Sequence, residues 1–392
     1  MTLLETISLI PIAGGSVFSL LCVLATMRFL ATWRPPADGF TPPVSILKPV
    51  YGLDRELEGN LLSFCAQDYP DYQLVISVQR LDDPALPLLR RIADAHPARV
   101  TLVVRESEPT VNGKIQNIAN GLEAARHDIL IISDADVRVG PDYLRTIVAP
   151  LADPKIGYSC TLYRTADARN VPEKLELLSM NADFVPSLIF THWTKSAVFC
   201  LGATVAARRA DIDATGGIAS LAEYLVEDQE MGRRLTAYGK HMAFIPMSVD
   251  IIPDYPTFQS WWTHQVYWDQ NTKAANPIGF ALTVLTRAIP FAVMFTCLTG
   301  FTAMGWAVLF ATLAIRIVSC AAIARMLGDR EVMGALWLMP LRDCLGLMSW
   351  AAALMKRTFI WRGHRFTLDR HGRISRIRDK PATGSTSGVG LR

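Results

Sequence analysis

The chain has 392 residues, of which 51% are apolar and 19% charged, and its mean hydropathy is +0.23. This composition excludes a disordered or wholly solvent-exposed chain. The net charge of +3 hides a polarity: residues 356–392 carry ten Lys/Arg against two Asp, a net +8, which leaves −5 for the preceding 355 residues. Such a distribution argues against a nucleic-acid partner, whose binding needs a basic folded surface, and points to a basic tail beside an anionic membrane.

In chain order, the first element is an uncharged run of 22 residues, Thr6 to Met27, ending in Arg28 and Arg34. It is long enough to span a bilayer. No basic stretch precedes it and no small-x-small site precedes Arg28, so it reads as an uncleaved anchor. The two arginines place the following domain inside by the positive-inside rule. The seven cysteines form no CxxC pair and the seven histidines no HxH or HExxH cluster. That pattern implies reduced thiols, a cytosolic face and no zinc.

From about Thr41 to Pro256 short apolar runs (Val44 to Leu47, Gln73 to Val78, Val100 to Val104, Ile129 to Ile132) alternate with helical patterns such as Asp54 to Ala66 and Pro84 to Ala95. This alternation predicts an α/β domain with a mostly parallel sheet, in which ligands sit beyond the carboxyl ends of the strands. Asp82-Asp83-Pro84 stands at the end of one such run, where helix capping accounts for one acid but not for both. The run from Ile129 ends in Asp134-Ala-Asp136. On an extended backbone two such carboxylates point the same way and can converge on one hard cation. Capping and solvation would explain this pair alone, and it is its company that makes it a candidate.

Farther along, Leu175 to Trp193 is too apolar for an exposed loop and contains Pro186. It reads equally as a lid over an acceptor pocket or as a core helix. Glu227-Asp228 opens a helix, where Asp228 is either a cap or a general base. Trp261, Trp262, Tyr267 and Trp268 crowd the helix Thr257 to Lys273, a density typical of a membrane interface. Uncharged residues fill Ala288 to Ile315, and a further apolar run, Val332 to Met355, is interrupted by Arg342 and Asp343. These two are expected to pair and turn inward. With the catalytic domain and the basic tail both inside, the C-terminal region crosses an even number of times, two crossings fitting best.

The ordered motifs Val44-Ser-Ile-Leu-Lys-Pro49, Ser63-Phe-Cys-Ala-Gln-Asp68-Tyr-Pro70, Val78-Gln-Arg-Leu-Asp-Asp83-Pro, Asn112-Gly-Lys114-Ile-Gln-Asn117, Ser133-Asp-Ala-Asp136 and Leu225-Val-Glu-Asp228 resemble those of the ceramide glucosyltransferase family. A sister group of bacterial hopanoid glycosyltransferases resembles the chain nearly as well, including an ending like Pro340-Leu-Arg-Asp343 followed by Trp361-Arg-Gly363. The resemblance implies a membrane-anchored, inverting enzyme of the glycosyltransferase-A fold that uses a nucleotide sugar, UDP-glucose or a related UDP-sugar. It implies donor contacts from Lys48, Asp83, Lys114 and Asp134, and Mg2+ or Mn2+ on Asp134 and Asp136. It further implies a base at Asp228 and acceptor or interface contacts from Trp262, His264, Tyr267 and Trp268. The family's closing motif, Gln or Arg, two variable residues, then Arg-Trp, is altered here to His264-Gln-Val-Tyr267-Trp268. Another cation, Arg208, Arg209 or Lys273, would have to replace its arginine.

The expected organisation is an anchor over 1–36, a cytosolic catalytic domain over 37–256, an interfacial aromatic region over 257–287, a transmembrane or re-entrant region over 288–355 and a basic tail over 356–392, disordered past Asp379. The expected setting is a bacterial inner membrane with the catalytic domain facing the cytosol. The expected acceptor is ceramide, with a hopanoid polyol as the alternative, and a non-catalytic scaffold of the same fold is the rival from another class. A processive polysaccharide synthase is disfavoured by the altered closing motif and by too few crossings.

Overall fold

The computed structural model describes residues 2–34, 39–106, 112–355, 358–361, 364–368 and 373–376. Its sheet begins as the sequence predicts, with β1 (Val44–Pro49), β2 (Tyr72–Val78), β3 (Val100–Val104) and β4 (Ile129–Ser133) all parallel. All of β2 and β4 is buried, the mark of parallel strands covered on both faces. Four more strands complete it: β5 (Val137–Arg138), β6 (Ile156–Thr165), β7 (Thr204–Arg208) and β8 (His241–Ile251). The order is β3-β2-β1-β4-β7-β6-β8-β5, with β7 antiparallel to both its neighbours. Strand order reverses between β1 and β4, which opens a crevice at their carboxyl ends. This is the glycosyltransferase-A type of α/β architecture.

Helix Leu3–Thr32 packs against Ala288–Leu298 and Ala303–Met326. Gly14 and Gly15 make the approach close: a Cβ on either would lie 2.6–2.7 Å from the carbonyl oxygen of Leu285 or Thr286. Among the described helices, Leu3–Thr32 and Ala303–Met326 are long and apolar enough to cross a membrane. The pair Pro277–Thr286 and Ala288–Leu298, bent by 50°, would make a third span if it counts as one. The last apolar run is broken into short pieces that end in a helix of 17 residues, Met339–Met355.

Arg342 and Asp343 turn inward and pair at 3.0 Å, as expected, but the pairing is shared. Arg342 also reaches Asp183 at 2.7 Å, and Arg316 reaches Asp343 at 3.1 Å and Asp183 at 3.4 Å. Asp183 lies in the apolar stretch Leu175 to Trp193. That stretch is helix Val171–Ser179, a π-turn over Met180–Phe184, and helix Val185–Thr194. Pro186 cannot donate to the carbonyl of Ala182 and would clash with it in a regular helix, so the extra residue of the π-turn carries the chain past the proline. Leu175, Leu177, Leu178 and Ile189 are buried, so the stretch is a packed wall.

Part of the basic tail is folded. Thr358–Trp361, His364–Leu368 and Ile374–Arg376 form a small antiparallel sheet. The Ile374 N–H donates to the Glu223 carbonyl at 2.8 Å, Arg373 bridges Tyr224, and Phe366 and Ile374 pack with Leu225. The expected disorder past Asp379 lies outside the described residues.

Candidate active site

The carboxyl ends of β1 and β4 open into a cavity of about 700 Å3. Asp134 follows β4 directly. Its N–H donates to the Ala203 carbonyl at 3.0 Å, and the Asp136 carbonyl accepts from the Ile252 N–H at 3.2 Å, so the loop carrying both acids is pinned on two sides. Asp134 and Asp136 line the cavity, as do Lys114 and Asp228.

Lys114 sits at the start of helix Gly113–Leu122, which Asn112 caps by accepting from the Lys114 and Ile115 N–H groups. The same Asn112 side chain donates to Glu227 at 3.2 Å and to the Tyr224 carbonyl at 3.0 Å, tying two loops together. Lys114 Nζ lies 2.7 Å from Asp134 and 3.0 Å from Glu227. Although burial opposes its charge, Asp134 and Glu227 hold the ammonium well above the usual lysine range. Asp228 Oδ1 accepts from the Gln229 N–H at 2.8 Å. Burial, reinforced by the charge of Glu227 and opposed by Lys114, pushes its carboxyl up to about 7. Burial and the charge of Asp134 likewise push Asp136 up to about 6. A carboxyl poised near neutrality can take a proton from an attacking hydroxyl.

Two expected donor contacts lie outside the cavity lining. Lys48 is fully buried, its Nζ donating to Ser133 Oγ at 3.2 Å, to the Val137 carbonyl at 3.3 Å and to the Asp134 carbonyl. Burial draws it down to about 7 against the pull of Asp136 and Asp134. It braces the acidic loop from within. Asp83 is buried too, accepting from the Gly52 and Ala85 N–H groups at 3.0 and 2.9 Å, so it joins the turns after β1 and β2. Exposed Asp82 pairs with Arg80 at 2.7 Å.

None of the three cations considered as a replacement lines the cavity. Arg208 donates to the carbonyls of Leu151, Asp153 and Ile156, and Arg209 to those of Ala125 and His127. Lys273 Nζ donates to the carbonyls of Ala353 and Leu354 at 2.9 and 3.0 Å, capping the helix that ends there. Among the described residues, Lys114 is the one Lys or Arg of the lining.

The aromatic helix is Phe258–Ala275. It presents His264, Tyr267 and Trp268 to the cavity, whereas Trp262 packs with Phe258 and Trp261 away from it. Met180, Phe184 and Leu188, spaced four apart along one helical stretch, give the cavity an apolar wall, and Val198 and Leu201 add to its apolar lining. Sequence reasoning missed Glu176, Tyr255 and Gly202, all of which line the cavity. The available signal for Glu176 was a carboxylate set among Leu175, Leu177 and Leu178.

The residues present fit a divalent cation completed by its ligand. Asp134, Asp136, Glu227 and Asp228 outnumber Lys114 and Lys48, and the Asp136 carboxylate accepts no hydrogen bond from the described residues. Among the described residues no group of three or more His, Cys, Asp or Glu is gathered that could cage an ion alone. Two carboxylates plus phosphate oxygens and water suit a hard octahedral ion.

A crevice at a strand-order reversal, an Asp-x-Asp loop on its edge and the half-buried Asp228 carboxyl in the same cavity define a glycosyltransferase of the glycosyltransferase-A type. The chain belongs to glycosyl transferase family 21, whose model matches residues 11–374. It is 24% identical over 250 residues to ceramide glucosyltransferase 1 of Caenorhabditis elegans, covering 60% of this chain and 52% of that protein. Against ceramide glucosyltransferase of Gibberella zeae it is 27% identical over 182 residues, 40% of this chain and 34% of that one. The chain thus spans about half or less of the length of these relatives. The structure of the Pyrobaculum calidifontis mannosyltransferase PcManGT, in complex with GDP-Man and Mn2+, is similar in fold, with a TM-score of 0.56 at 19% identity, covering 90% of this chain and 99% of that one.

Proposed function

We propose that the protein transfers a hexosyl unit, with inversion, from a nucleotide sugar, UDP-glucose or a related UDP-sugar, to the primary hydroxyl of a membrane lipid, ceramide in first place. The observation that carries this reading is one cavity with two kinds of wall. Asp134, Asp136, Lys114 and Asp228 line it together with the apolar Phe184, Leu188, Val198 and Leu201. A charged leaving group and an apolar acceptor can therefore meet in it.

Asp228 takes the proton of the lipid hydroxyl as that oxygen attacks the anomeric carbon from the face opposite the departing diphosphate. Lys114, already aimed by Glu227, lies beside Asp134 where it can neutralise phosphate charge. Asp134 and Asp136 would hold Mg2+ or Mn2+, which supplies Lewis-acid stabilisation of the leaving diphosphate. Asp83 and Lys48 act on the donor through the loops they brace. Ceramide's apolar chains face the Phe184 and Leu188 wall.

The protein resides in a membrane, with the bacterial inner membrane as the proposed one. Taking the bent pair as a crossing, together with Leu3–Thr32 and Ala303–Met326, puts the catalytic domain and the basic tail on the same, cytosolic side. The uncharged loop 299–302 then faces outward, in keeping with the positive-inside rule.

The test is transfer from radiolabelled UDP-glucose by purified protein in detergent, with ceramide or bacteriohopanetetrol at the same concentration. Labelled glucosylceramide and no labelled hopanoid is the expected outcome. The reverse preference moves the acceptor to the hopanoid class, and absence of both transfer and donor hydrolysis favours the scaffold.

A further inference from the structure

Glu176 has no part in the chemistry just described, yet its side chain is buried and belongs to the cavity lining. A buried carboxylate is costly unless it is paired or hydrogen-bonded. Gln265 Nε2 donates to Oε2 at 2.8 Å, while Oε1 faces His264 Nε2 at 3.4 Å. Both partners come from the aromatic helix. His264 in turn packs on Tyr255, with ring centroids 4.8 Å apart, and stands 6.0 Å from Trp268. A carboxylate, an imidazole and two large aromatic faces thus share one stretch of cavity wall.

The neighbours of that stretch place it. Tyr255, Glu176 and Asp136 line the same cavity, and Ile252, three residues before Tyr255, donates its N–H to the Asp136 carbonyl at 3.2 Å. The wall therefore adjoins the Asp-x-Asp loop. At its other edge Trp268 meets Phe184 edge-on at 5.2 Å, where the apolar wall begins. A sugar joined to a diphosphate at Asp134 and Asp136 would come to lie along this stretch, short of the lipid. The chemistry matches a hexose, whose C–H faces stack on aromatic rings while its hydroxyls donate to a carboxylate. An acyl chain would leave the Glu176 carboxylate facing hydrocarbon.

We infer that Glu176, His264, Tyr255 and Trp268 form the subsite for the transferred hexosyl ring, with Glu176 accepting a hydrogen bond from one ring hydroxyl and so selecting among epimers. This rests on the proposed hexosyl transfer and moves His264 and Trp268 from the acceptor to the donor side of the cavity. A site built to bind one hydroxyl rejects a sugar that misplaces it, because its polar groups are then left unpaired.

The experiment uses the full chain in detergent with two donors that differ only at the C4 hydroxyl, UDP-glucose and UDP-galactose. The parent is expected to discriminate between them by roughly 100-fold or more in kcat/KM. Glu176→Gln is expected to shrink that ratio about tenfold or more by raising KM for the preferred donor, while affinity for UDP alone, measured by calorimetry, stays within about twofold. Glu176→Asp, which keeps the charge, serves if the Gln variant fails to fold, and is expected to shrink the ratio in the same direction. A parent ratio near one, or a variant ratio equal to the parent's, overturns the subsite. A parallel loss of UDP affinity also overturns it, since Glu176 would then support only the fold. If the parent transfers no sugar at all, the hexosyl-transfer reading fails. The gain in affinity of UDP-glucose over UDP then decides the subsite by itself: its loss in Glu176→Gln upholds the subsite and its persistence overturns it.

Discussion

Asp228 Oδ2 occupies the space a side chain on Gly202 would need: a Cβ at that position would lie 2.6 Å from the carboxylate oxygen. Gly202 belongs to the segment that leads into β7, while Asp228 opens the helix Glu227–Ala237. Their contact sets how far the proposed base can withdraw from the cavity.

Replacing Gly202 with Ala is therefore expected to push Asp228 out of line without disturbing donor contacts. Displacement of a reacting group by about 1 Å can cost roughly 100-fold in rate. Steady-state kinetics should show kcat reduced by about that factor with donor KM changed only a few fold. An unchanged kcat would show that the carboxylate has room to move.

For Asp228 itself, Asp228→Asn should lower transfer by about two to four orders of magnitude, the usual cost of losing a general base, with donor binding largely kept. In the parent, activity should rise with pH through about 7 as Asp228 ionises. The effect on stability has the opposite sense. The unfolded side chain gives up its proton near the ordinary value of 3.8 and the folded one only near 7, so the parent loses stability as pH rises between those values. Asp228→Asn is free of that loss. Its Tm should exceed the parent's at pH 8 and match it at pH 4, as thermal melts in detergent would show.

Chelation should stop transfer, and added Mg2+ or Mn2+ should restore it. Asp134→Ala is expected to lose donor affinity as well as rate, since it also removes one of the two carboxylates that hold Lys114. Full activity in excess chelator would leave Asp134 and Asp136 with a structural task only.

Arg342→Ala should strip a buried cation from Asp183 and Asp343 together. Breaking such a network by removing one partner costs about 3–5 kcal/mol. Thermal denaturation in detergent should show a large drop in Tm, whereas removal of exposed Arg233 should have little effect. Equal, small shifts would mean that water reaches the network.

The first half of the sheet is legible in the sequence because strands buried on both faces read as unbroken apolar runs, as Ile129 to Ile132 does. The second half is not. β8 contains Pro246 and slips register against β6 between Ile245 and Ser248, so no simple period marks it. At the site, Asp134, Asp136, Lys114 and Asp228 carry recognisable spacing and do meet at one cavity. Lys48 and Asp83 were legible as residues of interest, but which way their side chains turn depends on pairing partners remote in sequence. Glu176 escaped notice because one acid on a helix ordinarily faces solvent. Only the packing of the aromatic helix against it encloses it.

The small sheet of the tail has a consequence for how the protein is made. The strand that pairs beside Glu223 and Tyr224 includes Ile374, which leaves the ribosome after the long apolar helices Leu3–Thr32 and Ala303–Met326 have been synthesised. A nascent chain that has completed its catalytic domain still lacks the partner of the segment leading to Asp228. The order of synthesis thus completes the surroundings of the proposed base only after both long apolar helices have been made, and a chain interrupted before that point carries an open edge where the tail would dock.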